Sequence, residues 1–145
     1  MIVVDVNLLL HAVNEDAPRH REARAWLQSA LSGGEMLGLP WLALLAFLRL
    51  STKPGLFPRP LPISSALDIV DKWLESPAVS ILQPGPQHAR LLRALLIDAG
   101  TGGDLTSDAH LAALAVEHGA ELCSLDRDFA RFPGLRWRDP LRKPQ

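Results

Sequence analysis

MIVVDVNLLLHAV, residues 1–13, decides how this chain is read. Four apolar residues run without a break into Asp5, and Asn7 follows before a second apolar run opens at Leu8. A strand covered on both faces needs continuous apolar character, whereas a half-exposed strand alternates. Residues 1–4 therefore predict a buried strand. A carboxylate and an amide come directly off its end, with no glycine or proline beside them to mark an ordinary turn.

The same grammar repeats downstream. Further short strands are expected at 36–39, 79–82 and 121–125, and a last one near 135–137. Helical periodicity fills the gaps. After Pro18, Ala23, Trp26, Leu27, Ala30 and Leu31 share a face, and Gly33-Gly34 ends the helix. Residues 41–50, WLALLAFLRL, are apolar nearly all round, so that helix is either wholly buried or shared with a partner subunit. The segment 51–64 carries four prolines between positions 54 and 62, which no regular element tolerates. Ser64 or Ser65 is expected to cap the next helix, with Leu67, Val70, Trp73 and Leu74 inward. Leu91, Leu92, Leu95 and Leu96 mark another helix. DLTSDAHLAALAVEHG (104–119) is a further one with Gly119 as its stop, and 126–131 is a short helix. Apolar strands alternating with helices predict an α/β fold, three layers α/β/α, with a mostly parallel central sheet. Sites in such sheets lie beyond the carboxyl ends of the strands.

Composition narrows the class. A chain of 145 residues, 48% hydrophobic and 21% charged, is long enough for one folded domain, read here as 1–140 with a short tail at 141–145. The net charge of −1 gives no global attraction to a polyanion, so any nucleic-acid contact must be a local patch. Cys123 is the only cysteine, which excludes an intramolecular disulfide, and its strand position makes it a small core residue. No signal peptide is expected, and no apolar run approaches the ~20 residues of a membrane span. A cytoplasmic protein with no membrane contact is the expectation.

Three aspartates occupy positions where chemistry is expected. Asp5 follows the first strand, Asp108 lies near the start of an apolar helix, and Asp126 follows the fourth strand. Singly, Asp108 and Asp126 are well explained as helix-start residues. Together, carboxylates converging at one sheet edge repel one another and need a cation, and hard oxygen ligands suit Mg²⁺ or Mn²⁺. Such a metal activates water and stabilises charge on a phosphodiester.

MIVVDVNLLLHA, then PWLALLAFLRLSTKPGLF, then LTSDAHLAALAVEHGAELCSLDRDF together resemble the PIN-domain ribonucleases, and most closely the VapC-type toxins of bacterial toxin–antitoxin pairs. The resemblance implies metal-dependent endonucleolytic cleavage of RNA that leaves a 5′-phosphate and a 3′-hydroxyl. It also implies a homodimer and a VapB-type antitoxin that blocks the site. It carries the catalytic and magnesium-ligating roles to Asp5, Asp108 and Asp126. Asn7 matches a position that orders the first carboxylate, and Asp128 in LDRDF is a candidate either for the outer shell or for a surface helix-start role. One departure stands out: Ala46 occupies a position where most PIN domains carry a glutamate. Asp104 would compensate if it shares a face with Asp108 at i, i+4, although a helix N-cap is its plainer role.

Several other residues bear on function. Arg127, Arg131, Arg136 and Arg138 surround Trp137 and are candidates for gripping RNA phosphates, against an ordinary solvated surface. Arg49, on an otherwise apolar helix, requires a partner if buried. With Ala46 breaking the acidic set, the alternative reading is a catalytically weak PIN-like module that binds RNA or protein. A phosphatase of the haloacid dehalogenase type also places Asp after its first strand, but it requires a second Asp where this chain has Asn7.

Overall fold

The central strand takes its place because both of its edges and both of its faces are covered. In the computed structural model, which describes residues 1–143, β1 (Ile2–Val4) is buried along its whole length. It pairs in parallel with β2 (Leu37–Pro40), Ile2 opposite Leu37, and with β4 (Glu121–Cys123), Ile2 opposite Glu121. β3 (Val79–Leu82) adds outside β2, and β5 (Trp137–Arg138) outside β4. The sheet order is β3-β2-β1-β4-β5, and every pairing is parallel. The chain therefore builds outward in one direction from β1, then returns to build outward in the other. The order reverses between β1 and β4, and a crevice opens beyond their carboxyl ends.

Helices cover both faces, giving the three layers expected. On one side lie α1 (Val6–Val13), α2 (His20–Ser32), α3 (Trp41–Thr52) and α4 (Ile63–Glu75), around a core that includes Val4, Leu39, Leu44, Phe47 and Trp73. On the other lie α5 (His88–Ala99) and α6 (Leu105–Glu117), around Val3, Leu95, Ala109, Leu122 and Phe129. Val3 and Val4 point to opposite cores, as the period of two in a strand requires. Gly119 follows α6 at φ 62°, the left-handed stop anticipated for that helix.

Some expectations are corrected. No helix was assigned before Pro18, yet α1 starts immediately after Asp5, whose side chain caps it by accepting from the Val6 amide at 2.7 Å. Eight residues are too short a run for periodicity to separate helix from strand. Neither Ser64 nor Ser65 caps α4, which begins at Ile63 directly after Pro62. Its buried stripe is Ala66, Val70 and Trp73, and this phase leaves Leu67 43% exposed. Of the two alternatives for α3, wholly buried is excluded: Ala43, Leu44 and Phe47 face the core, while Trp41, Leu42 and Leu45 remain at the surface. β4 is shorter than expected, ending at Cys123, and Ser124 to Asp126 form a loop before a 3₁₀ turn at Arg127–Arg131. Cys123 is buried and unpaired, and burial pushes its thiol up to about 12.

The segment read as a tail begins inside the packed structure. Leu141 is buried in the first core, and Arg19 donates to its carbonyl at 2.9 Å. Residues 144 and 145 of that segment lie outside the described residues. Among the described residues, no helix is long and apolar enough to cross a membrane. Leu141→Ala is expected to lower the unfolding free energy by about 2 kcal/mol in urea titration. At exposed Arg142, alanine should change it by no more than about 0.5 kcal/mol.

Candidate active site

The carboxyl ends of β1 and β4 are tied together by one buried hydroxyl. Ser124 Oγ donates to Asp5 Oδ2 at 2.7 Å. It accepts from Asn7 Nδ2 at 3.1 Å and from the Asp126 amide at 3.0 Å. One donor and two acceptor positions are the full capacity of a hydroxyl, so this one is saturated. Asn7 completes the link by accepting from the Leu125 amide at 3.3 Å. Trp137 Nε1 donates to the Ser124 carbonyl at 3.1 Å and holds the loop against β5. Asn7 therefore orders Asp5 through Ser124, with no direct bond to it. Asp126 Oδ1 accepts from the Asp128 amide at 2.9 Å and caps the 3₁₀ turn.

The electrostatics are those of crowded negative charge. The Asp5 carboxyl is raised above its ordinary value by burial, against the lowering effect of the Ser124 and Val6 bonds, and the charge of Asp126 raises it further. Asp108, in the first turn of α6, is pushed up to about 6. Burial is the largest cause, followed by the charges of Asp5, Asp126 and Asp128. Asp5 and Asp108 line one cleft of about 190 Å³, walled by α3 through Leu42, Ala46 and Arg49. Asp126 and Asp128 stand outside that wall, but their charges reach it.

The fold thus brings together Asp5, Asp108, Asp126 and Asp128. Asp104 is not part of this group: it is exposed ahead of α6, makes no side-chain cap bond and is not among the charges that raise Asp108. Of the four arginines, Arg127 and Arg131 lie exposed on the 3₁₀ turn that follows Asp126. Arg136 and Arg138 have protein partners instead. Arg136 donates to the Gly119 carbonyl at 2.7 Å, and Arg138 pairs with Glu121 at 2.8 Å, both at the amino end of β4. That is the sheet edge opposite the aspartates. His110 bonds to His88 at 2.9 Å on the α5–α6 seam. The residue that sequence reading missed is Ser124, whose only signal is a small hydroxyl residue two positions before Asp126.

The donor set fits a hard divalent cation in an open site. All donors are carboxylate oxygens, and two of the carboxyls, Asp5 and Asp108, are held above their ordinary pKa by burial first and by neighbouring carboxylate charge after it. Among the described residues, no group of three carboxylate, imidazole or thiol side chains is arranged to hold a metal ion by itself. Mg²⁺ does not require one, since it usually keeps several waters and binds through one or two carboxylates.

Asp108 sets a pH dependence for the metal-free fold. Between its ordinary value of 3.8 and about 6, the folded chain binds this proton more tightly than the unfolded chain does. Stability from this group is therefore full at acidic pH and lost as pH rises through about 6. Asp108→Asn is expected to raise the metal-free Tm at neutral pH by about 2–4 °C, roughly 1 kcal/mol after discounting for solvent screening. The gain should shrink below about pH 5, and thermal melts across that range in EDTA would check both.

Comparison with known proteins agrees with this architecture. The PIN domain family model matches residues 2–135. The chain is 50% identical over 140 residues to ribonuclease VapC37 of Mycobacterium tuberculosis, covering 97% of each protein. It is 45% identical over 143 residues to ribonuclease VapC33 of the same species, covering 99% of this chain and all of the relative. Among solved structures, VapC20 of M. tuberculosis, described as a sarcin–ricin-loop-cleaving toxin, has a TM-score of 0.69 at 17% identity. That match covers 94% of this chain and 99% of VapC20. The VapBC2 complex of Rickettsia felis, bound to a promoter DNA fragment, also has a TM-score of 0.69 at 17% identity, covering 95% of this chain and 98% of the matched one. With its family model matched across nearly the whole chain and its carboxylates gathered at the β1–β4 switch point, this chain belongs to the PIN-domain family.

Proposed function

We propose that this chain is a VapC-type toxin, an endoribonuclease that hydrolyses RNA phosphodiesters with the help of Mg²⁺, for which Mn²⁺ substitutes. The observation that carries the reading is that Asp5 and Asp108 line one cleft, with the Asp126 backbone tied to Asp5 through the Ser124 hydroxyl. Identity of 50% to a ribonuclease VapC over nearly the full length supports it.

Asp5, Asp108 and Asp126 would hold the cation, directly or through its waters. When bound, it supplies a more acidic water and offsets charge building up on the phosphate. The chain's own part begins with Asp5, which the Ser124 hydroxyl and the Val6 amide keep aimed into the cleft. Asn7 keeps Ser124 in register, and Asp126 is fixed as the cap of the 3₁₀ turn. A site carboxylate takes the proton of the attacking water. The water oxygen bonds to phosphorus and the bond to the 3′ oxygen breaks. That oxygen leaves with a proton from solvent, giving a 3′-hydroxyl and a 5′-phosphate. Asp128 adds negative charge at the rim, and the exposed Arg127 and Arg131 meet neighbouring phosphates.

The partners follow from the same reading: a VapB-type antitoxin and a second copy of this chain, in the cytoplasm where RNA is available. The exposed apolar face of α3, with Trp41, Leu42 and Leu45, offers such partners a surface beside the cleft.

Purified protein incubated with total RNA is expected to make discrete cuts with Mg²⁺ and none with EDTA or in Asp5→Asn. Cutting that persists in Asp5→Asn would contradict the assignment, as would no cutting in either metal. The second result would leave an RNA- or protein-binding module. Ser124→Ala removes the donor to Asp5 and leaves the Asn7 and Asp126 donors unpaired. It is expected to cut kcat/KM about tenfold and to cost about 1–2 kcal/mol of stability, read by cleavage kinetics and urea unfolding.

A further inference from the structure

The cleft of Asp5 and Asp108 has a single cationic side chain on its wall. Arg49 stands on α3 and lines the same space as the two aspartates. Three arginines pair with carboxylates, Arg19 with Glu22, Arg59 with Asp16 and Arg138 with Glu121, and what distinguishes Arg49 from the remaining unpaired ones is its place on the cleft wall. Arg49 makes no ion pair among the described residues and is exposed. Three residues earlier on the helix, where a carboxylate would engage it, stands Ala46, which lines the cleft with only a methyl. The neighbouring wall residues Leu42, Leu50 and Leu111 are apolar and offer the guanidinium no acceptor.

An arginine so placed has its stem against apolar wall and its five N–H donors uncommitted. The aspartates account for the negative side of the cleft, and Arg49 alone accounts for the positive side. A planar fork of donors facing a cleft built around carboxylates suits a phosphodiester oxygen better than a lone metal ligand set does. We propose that Arg49 is an RNA-binding residue of this site, its guanidinium gripping a backbone phosphate in the cleft and fixing where the strand lies against the carboxylates. The absence of a carboxylate at Ala46 is what keeps that guanidinium available. The inference rests on the ribonuclease reading above and names the residue that holds its substrate.

The test separates binding from cleavage. In the Asp5→Asn background with Mg²⁺, affinity for a labelled single-stranded oligoribonucleotide of mixed sequence is measured by anisotropy across a salt series. Arg49→Ala is expected to weaken binding about tenfold and to reduce the slope of log K against log salt by about 0.7, one phosphate contact on a single strand. Arg49→Lys should keep the slope and recover part of the affinity, a rescue that a packing role would not produce. Ala46→Glu should pair with Arg49 and weaken RNA binding, and adding it to Arg49→Ala should cost little more. With Asp5 intact, Arg49→Ala should raise KM more than it lowers kcat. Unchanged affinity and slope in a folded Arg49→Ala, or tighter binding in Ala46→Glu, would overturn the proposal while leaving the ribonuclease reading in place. A parent that binds no RNA would overturn both.

Discussion

Repulsion among carboxylates at the carboxyl ends of β1 and β4 is the constraint on which the rest of this structure depends. The adjacent strands β1 and β4 lead into Asp5 and towards Asp126, and α6 brings Asp108 to the cleft that Asp5 lines. Such a group opposes folding: burial first, and mutual charge after it, raise the Asp5 and Asp108 carboxyls. The surrounding structure holds it in place regardless. Burial of β1 between two cores leaves no freedom to move Asp5 away, and the Asp5 amide donates to the Cys123 carbonyl at 3.0 Å.

Ser124 turns that tension into a defined site. Its hydroxyl gathers Asp5, Asn7 and the Asp126 amide onto one atom, so strand ends from distant parts of the sequence share one geometry. A saturated buried hydroxyl of this kind is rigid, because none of its three bonds can be lost without leaving a partner unpaired. The energetic strain is thereby confined to charge, which a cation can relieve, while the backbone shows no positive φ outside glycine among the described residues. Function is stored as electrostatic debt rather than as conformational strain.

Much of this was legible in the sequence because it depended on pattern. The unbroken apolar strand, the helical stripe after Pro18 and the stop at Gly119 each carry a periodicity or a glycine that local physics explains. What pattern could not carry was invisible. The run at Val6–Val13 is too short to declare itself a helix, and Ser124 is a common residue whose importance arises only when α1 and β4 meet. Arg136 and Arg138 look like the rest of a basic cluster until tertiary contacts commit them to Gly119 and Glu121. Asp104 sits four residues before Asp108, but it stays on the exposed approach to α6. Ala46 reads as a gap in an acidic set, and in three dimensions it is an open space beside Arg49.

The most direct test of the central claim is calorimetric titration of Mn²⁺ into the metal-free protein near pH 6, run in buffers of different ionisation enthalpy. Because the Asp108 and Asp5 carboxyls are raised in the metal-free fold, binding there should release protons, and should weaken sharply in Asp5→Asn. Binding that releases no proton and is indifferent to Asp5 would contradict the account, since the crowded carboxylates would then not be the cation's site.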